Sequence, residues 1–526
     1  MAQQQVIDRL LDIASRHGAR TMIAAPTAAR RYDEVWPRVL KLASVLIEES
    51  KGEPFIGVLA ERDQSAYLAI LAILAAGKGY VPLNPAQPDA RLSRIAAQAD
   101  LKSVIVGRGQ SVRASTLMSA AMGIRTLIDP EGEDGKEATV IGARDISAAS
   151  PRSARPSSDE APAYLLFTSG STGEPKGVAV TNANLCAYLD FVCPFFGYTP
   201  EDCHSQTFEL TFDLSVHDMM CAWTTGGALA PIIGADLVSP ARIIKREHIT
   251  CWFSVPALGL IMQRTRALRP DLLQSLRVSL FCGEPLPASL AEQWQRTTPN
   301  GIVENLYGPT EATIAFTRYR WASDTSPLEC RYGLVPIGKA FPDLRVAIDT
   351  PEGLSFSGQA KGELWLAGPQ ITPGYLNAPE QTAKRFCEHA QLPGVIWYRT
   401  GDIVERGSDE TLHFVGREDD QIKFRGHRIG LLEIEAALRE AADAQVAAAV
   451  AFPRDGHEVF GITGVVQGDP SQREATMAGL AARLPGYMIP HKLIFVREMP
   501  RTPIGKIDRI ALFNALSAGL DLEGQG

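Results

Sequence analysis

Apolar residues recur at helical spacing at the start of the chain. Between residues 6 and 14, Ile7, Leu10, Leu11 and Ile13 fall mostly on one side, which predicts an amphipathic helix. A longer helix is predicted over residues 35–47, where Val39, Leu40, Ala43, Leu46 and Ile47 share a face. That start places Pro37 in the first turn, where a helix tolerates it. Residues 54–59 then form a short apolar run with strand character. Residues 67–76, rich in Ala, Leu and Ile, predict a helix that ends at Gly77 and leads into Tyr80-Val81-Pro82-Leu83-Asn84-Pro85, a core strand and a proline-rich turn. From 88 to 147 helical and apolar runs alternate, as at 103–106 and 125–128, which predicts an α/β domain with parallel strands. Residues 150–162, rich in Ser, Pro, Ala and Arg, read as a surface linker. Beyond Gln421 the pattern is α+β, with a helix over 432–441 and strands over 446–452 and 462–466.

A chain of 526 residues exceeds one ordinary core of ~100–200 residues, so at least two domains are expected. Hydrophobic content of 45% with 21% charged residues is that of a soluble globular protein. The net charge of −8 and a pI near 5.7 argue against a nucleic-acid partner, which calls for a basic face. No run of ~18 apolar residues and no basic leader with an apolar core occurs, so neither a membrane span nor a signal peptide is expected, and a cytoplasmic location is. The cysteines (186, 193, 203, 221, 251, 282, 330 and 387) contain no C-x-x-C pair, which fits reduced thiols better than a disulfide framework or a zinc site.

The chain is organised around one stretch. The apolar run Tyr164-Leu165-Leu166-Phe167, a predicted buried strand, passes straight into Thr168-Ser169-Gly170-Ser171-Thr172-Gly173-Glu174-Pro175-Lys176-Gly177. Glycine lets backbone N–H groups turn inward, and a concave row of them, joined by hydroxyls and a lysine, suits a polyphosphate. Taken alone, the stretch reads equally as a polar surface turn. It is not a Walker-A loop, because Gly177 rather than Ser or Thr follows Lys176.

This stretch closely resembles the phosphate loop of the adenylate-forming enzymes: acyl-CoA synthetases, luciferases and the adenylation domains of nonribosomal peptide synthetases. The resemblance continues along nearly the whole chain. Thr211-Phe212-Asp213-Leu214-Ser215-Val216-His217-Asp218 is similar to the family's FDxSVxE, with Asp218 in place of Glu. In the amino-acid-activating branch this implies that Asp213 holds the substrate α-ammonium. From the residues alone Asp213 also reads as a helix N-cap, and the two roles are compatible. Asn305-Leu306-Tyr307-Gly308-Pro309-Thr310-Glu311 matches NxYGPTE. The match implies Tyr307 stacked on adenine, Asn305 at the adenine edge, Thr310 at the α-phosphate and Glu311 on Mg²⁺, a cation that prefers hard oxygen ligands. Tyr398-Arg399-Thr400-Gly401-Asp402 resembles YRTGD and implies ribose binding by Asp402, the alternative being an Asp in a Gly-Asp turn. The segments 362–366 and 373–376 read as scaffold.

Gly416-Arg417-Glu418-Asp419 opens a run similar to GRxDxQVKxRGxRI. It implies a nucleotide contact for Arg417 and a hinge at Asp419, about which a small C-terminal domain rotates; a charged surface loop reads the same way from the residues alone. Residues 484–490 match LPxYMIP. Residues 500–509 match PxTxxGKIDR, which implies that Lys506 is the catalytic lysine.

The implied architecture is α/β: a large N-terminal domain over 1–418, with layered α/β sheets and a β-barrel-like part, and a small mobile α+β domain over 419–526. The implied activity is ATP- and Mg²⁺-dependent formation of an aminoacyl-AMP, with Lys506, Thr310 and Glu311 stabilising the developing charge. Transfer to the phosphopantetheine thiol of a carrier protein follows. Only residues 510–526 come after Arg509, and no GxxS carrier segment is among them, so the carrier is expected to be a separate protein. The family's amino-acid pocket maps to Asp213, Leu214, His217, Phe253, Leu280, Cys282, Leu306, Ile314, Ala315 and Lys506. This mostly apolar set resembles a proline-type pocket, and L-proline is the first expectation. His217 departs from that pattern and keeps open a small hydroxylated amino acid. An acyl-CoA synthetase is the enzyme alternative, against which Asp213 stands. A non-catalytic nucleotide-binding protein is the other, against which Lys506, Glu311 and Asp402 stand.

Overall fold

The computed structural model of the chain describes residues 5–25, 29–121, 123–132, 140–154, 158–168, 175–417, 421–455, 458–501, 507–520 and 522. They divide into two compact units: Met1–Pro85, Ile95–Phe167 and Gly177–Val415 form one, and Ala86–Arg94, Thr168–Lys176 and Gly416–Gly526 the other.

The larger unit is built on alternating strands and helices, as the hydrophobic pattern predicts. Its first sheet has seven strands in the spatial order Val140–Ile141, Thr126–Ile128, Ser103–Val106, Phe55–Leu59, Gly79–Leu83, Pro162–Thr168 and Lys176–Thr181. The pairings from Val140–Ile141 through to Pro162–Thr168 are parallel. Phe55–Leu59, Gly79–Leu83 and Ser103–Val106 are buried throughout, which is why they read as continuous apolar runs rather than alternating ones.

A second sheet of nine strands has a parallel centre formed by Cys203–Gln206, Ala228–Pro231, Cys251–Ser254, Val278–Phe281 and Ile302–Tyr307. Two helices stand between these sheets, and each is buried on every side. In the helix Gln64–Ala75 every residue from Ala66 onward is buried, and Asp63 caps its start by accepting from the Ser65 and Ala66 amides. In Leu214–Thr225 every residue from Leu214 to Trp223 is buried, and Gly226 ends it with φ 85°. The two helices meet through Tyr67 and Trp223, whose rings lie edge-on at 5.8 Å. A six-stranded sheet, built on the antiparallel pair Ala360–Ala367 and Leu392–Arg406, supplies the remaining part of this unit.

One helix differs from its expectation. It runs from Tyr32 to Glu49, so Pro37 lies in the second turn rather than the first. The Arg31 amide donates to Glu34 Oε2 at 3.0 Å, and Tyr32 is fully buried with its hydroxyl on the Gly227 carbonyl. One local and one long-range bond start the helix early and outweigh the missing proline donor.

The smaller unit is α+β. Ala447–Ala451 pairs antiparallel with Ile462–Gln467, which pairs parallel with Lys492–Val496. The helices Leu431–Ala441 and Arg473–Ala481 and the hairpin Gln421–Phe424/His427–Gly430 accompany this sheet. Among the described residues no helix is long and apolar enough to cross a membrane.

Candidate active site

The parallel strands of the nine-stranded sheet present their carboxyl ends along one edge, where open α/β sheets bind ligands. Phe253 pairs with Leu280 in register, and Leu280 with Glu304 two residues before Leu306, so Phe253, Leu280 and Leu306 share a face. Leu214, Phe253, Leu280, Cys282, Leu306, Ile314 and Ala315 all fall in one buried cluster, each at most 4% exposed.

Asp213 sits just before the helix Leu214–Thr225 but does not cap it: its side chain makes no cap hydrogen bond. Its Oδ2 is buried without a hydrogen-bond partner. Burial pushes the carboxyl up to about 7; the Thr310 hydroxyl and the Ile314 and Leu214 amides pull it down, and the charge of Glu311 pushes it further up. A carboxylate held this way favours a cation beside it.

His217 is fully engaged by the protein. Its Nδ1 is 2.7 Å from the Tyr188 hydroxyl and its Nε2 3.2 Å from the Tyr198 hydroxyl. Burial, with a smaller contribution from His204, holds the ring down to about 3, so it is neutral. The ring presents itself edge-on to Phe253 at 4.7 Å. His217 is thus part of an aromatic wall, and its nitrogens are not offered to a polar substrate group.

Glu311 lies in the turn Thr310–Ala312 and is 1% exposed. Tyr375 donates its hydroxyl to Glu311 Oε1 at 2.8 Å, and the Thr372 amide donates to the Glu311 carbonyl. The chain then passes through two left-handed residues, Thr313 (φ 54°) and Ile314 (φ 72°), before returning to the sheet. Gly308 permits the return: a Cβ there would stand 2.7 Å from the Ala315 Cα.

Asp402 lies within the strand Leu392–Arg406, not in a turn. The register against Ala360–Ala367 shifts between Glu363 and Trp365, which bulges residues 400–402 outward at Gly401 (φ 73°). Glu363 pins the bulge, pairing with Arg399 at 2.8 Å and accepting from the Gly401 amide at 2.9 Å. Tyr307, at the end of Ile302–Tyr307, donates its hydroxyl to Asp402 Oδ2 at 2.5 Å. Asn305 uses its amide nitrogen on the Pro336 carbonyl at 2.9 Å, so that nitrogen braces the 335–336 loop.

Thr168 closes the strand Pro162–Thr168 and Lys176 opens Lys176–Thr181. Arg417 donates to Gln421 Oε1 at 3.0 Å within the smaller unit. The expectations for Ser169, Gly170, Ser171, Thr172, Gly173, Asp419 and Lys506 lie outside the described residues.

A second buried cluster, Asp202, His204 and Cys251, brings three ligand-type atoms within 4.8 Å of one another. Arg277 donates to both Asp202 oxygens, from Nε to Oδ1 at 2.7 Å and from a terminal nitrogen to Oδ2. Thr250 adds its hydroxyl to Oδ1 at 2.7 Å. That carboxylate is the partner of a guanidinium, a poor neighbour for a metal ion.

The sequence pattern of the family described as "AMP-binding enzyme" matches residues 10–376. The chain belongs to this adenylate-forming family of ligases. The L-proline–[L-prolyl-carrier protein] ligase of Pseudomonas fluorescens is 30% identical over 516 residues, covering 96% of this chain and 98% of that protein. The D-alanine–D-alanyl carrier protein ligase of Bacillus licheniformis is also 30% identical, over 91% of this chain and 93% of that protein. A plipastatin synthase polypeptide of Bacillus subtilis is 32% identical over 88% of this chain, which spans only 17% of that much longer protein. Among solved structures, the Vibrio cholerae adenylation domain AlmE in complex with glycyl-adenosine-5′-phosphate superimposes with a TM-score of 0.86 at 29% identity, with 98% of each chain covered.

Set against this family, the acidic groups have a consistent chemistry. Asp213 and Glu311 are two buried carboxylates, and the charge of Glu311 raises the cost of ionising Asp213. Glu311 offers hard oxygen, which fits a divalent ion such as Mg²⁺, whereas Asp213 stands against apolar side chains and fits an organic ammonium. Sequence reasoning missed the residues that brace the site: Tyr188 and Tyr198 on His217, Glu363 at the bulge, Gln370 on the carbonyls of 312–315 and Tyr375 on Glu311. Of these, Glu363 and Tyr375 lie in stretches that stood out, and there they read as scaffold.

Proposed function

We propose that the chain activates an amino acid as its adenylate and passes the acyl group to the phosphopantetheine thiol of a carrier protein, with L-proline the substrate fitted best. The observation that carries this reading is Asp213, whose buried and unpaired Oδ2 stands beside an apolar wall. A fatty or aryl acid would leave that carboxylate without a counter-charge, and near neutral pH it would take up a proton instead. An α-ammonium supplies one. Two relatives that this chain covers almost end to end bear names of amino-acid–carrier protein ligases.

Those two names, D-alanine and L-proline, leave the side chain to be argued from the wall. Phe253, Leu280, Leu306 and Ile314 offer apolar contact, and both nitrogens of His217 are taken by Tyr188 and Tyr198. A hydroxylated side chain would find no donor or acceptor in His217. A compact apolar ring matches the set.

In the first step a carboxylate oxygen of the amino acid forms a bond to the α-phosphorus of ATP, the bond from that phosphorus to the bridging oxygen breaks, and pyrophosphate leaves. Asp213 orients the amino acid through its ammonium. Asp402, held by Tyr307, accepts from the ribose hydroxyls. Thr310 contacts the α-phosphate, and Lys506 places its ammonium on the same developing charge. Glu311 would hold Mg²⁺, which supplies electrostatic stabilisation of the phosphates when bound. In the second step the carrier thiol sulfur bonds to the acyl carbon and AMP departs. Asp419 acts as the hinge between a core over 1–418 and a mobile domain over 419–526, so that Lys506 serves the first step only.

The test is ATP–pyrophosphate exchange across the proteinogenic amino acids, D-alanine and coenzyme-A-dependent acids. L-Proline is expected to drive exchange most strongly. Preference for serine or threonine would defeat the proline assignment, and activity with carboxylic acids lacking an amine would defeat the amino-acid reading.

A further inference from the structure

The turn that faces Asp213 is held in a costly backbone conformation, and one buried side chain accounts for its stability. Thr313 and Ile314 both lie in the left-handed region, at φ 54° and 72°. For β-branched residues this region is unfavourable, by about 1–3 kcal/mol at each position. The turn persists because Gln370 clasps it. Gln370 is 1% exposed, and its Nε2 faces three carbonyls: Ala312 at 3.2 Å, Thr313 at 3.2 Å and Ala315 at 2.8 Å. Three acceptors fix the amide so that its NH₂ points into the turn. The clasp is reciprocal, since Thr313 Oγ1 donates to the Gln370 carbonyl at 2.6 Å. The segment carrying Gln370 is itself anchored, because Asn184 Nδ2 donates to the Pro369 and Ile371 carbonyls at 2.7 and 3.1 Å.

What the clasp controls follows from what the turn presents. The turn supplies the Ile314 amide that acts on the Asp213 carboxylate, and it supplies the Ile314 and Ala315 side chains of the apolar wall. We propose that Gln370 is a positioning residue for the amino-acid site: it holds the strained 313–314 turn in the shape that aligns Asp213 and the pocket wall, without touching substrate itself. The inference rests on the reading of Asp213 as the ammonium partner. It adds a residue from a distant part of the chain that sets amino-acid affinity.

The experiment compares Gln370→Ala, Thr313→Gly and the double variant in proline-dependent ATP–pyrophosphate exchange. Loss of the clasp is expected to raise the KM for proline by about tenfold or more and to change the KM for ATP less than about twofold. Glycine adopts positive φ without strain, so in the Thr313→Gly background removing Gln370 should cost much less than it does in the native chain. An equal rise in the KM for ATP, or simple additivity of the two substitutions, overturns the proposal. Amide hydrogen exchange on the native chain tests the clasp with neither a substrate nor a stable variant. The Ala315 and Phe316 amides, bonded to the Thr313 and Tyr307 carbonyls, should exchange as slowly as the surrounding core. Exchange at the rate of exposed loops would show that the turn is not clasped. If no amino acid drives pyrophosphate exchange, the functional reading fails while the hydrogen-exchange result still decides the clasp.

Discussion

At the scale of single residues, function and stability oppose each other at Asp213. Its carboxyl is neutral in both folded and unfolded chains below pH ~4, the ordinary range of an aspartate. Between that pH and about 7 the folded protein keeps the proton that the unfolded chain has lost. Stability from this group is therefore lost as pH rises through about 7, where the fold must hold a buried, unpaired charge. Asp213→Asn is expected to raise the melting temperature at pH 8, by ~1 kcal/mol or more in stability, with the difference closing near pH 4. Thermal denaturation of both chains at the two pH values checks this. The same substitution should abolish proline activation. Because the ammonium needs an ionised partner, the native enzyme's KM for proline should climb as pH falls below about 7, which a pH series of exchange kinetics reads directly. His217 contributes no inflection to that series, since its neutral ring stays neutral above pH ~4.

At the scale of elements, the site depends on irregularities in otherwise regular strands. The bulge at 400–402 turns Asp402 out of Leu392–Arg406, and Tyr307 crosses from another sheet to hold it. Tyr307→Phe keeps the ring and removes that bond. It should weaken ATP more than it weakens 2′,3′-dideoxy-ATP, narrowing the preference between the two by about tenfold or more, the worth of one hydrogen bond to a charged group. Nucleotide KM ratios measure this. Tyr375→Phe should leave Glu311 less constrained. A higher Mg²⁺ requirement in exchange and weaker Mn²⁺–nucleotide binding by electron paramagnetic resonance are the expected results.

These irregularities also mark where sequence reasoning reached and where it stopped. The layered α/β plan was legible because buried parallel strands such as Phe55–Leu59 read as unbroken apolar runs. Asp213, Glu311 and Asp402 stood out because each sits inside a contiguous motif. The Gly-Asp pair at 401–402 suggested a turn, since a bulge inside a strand depends on its neighbour's register, which a single stretch does not encode. Tyr188, Tyr198 and Gln370 went unnoticed because each acts by hydrogen bonds across more than a dozen residues of chain, with nothing periodic around it. The early start of Tyr32–Glu49 was missed because Glu34 reaching back to Arg31 outranked the usual penalty for Pro37.

At the scale of the whole molecule, the account assigns binding to a large layered unit and delivery of one lysine to residues near the C-terminus. Lys506→Ala should reduce adenylate formation by about a hundredfold or more, as loss of a group that stabilises transition-state charge does. Transfer of a preformed prolyl-adenylate to the carrier thiol should be largely retained, as single-turnover assays of the two steps would show. The central claim is narrower: a buried aspartate selects an acid that carries an amine. The most direct measurement is pyrophosphate exchange with L-proline and with cyclopentanecarboxylate, which keeps the ring and the carboxylate but lacks the nitrogen. The account predicts strong exchange with proline, almost none with the carbocycle, and loss of that discrimination in Asp213→Asn. Comparable exchange with both acids in the native chain would contradict it.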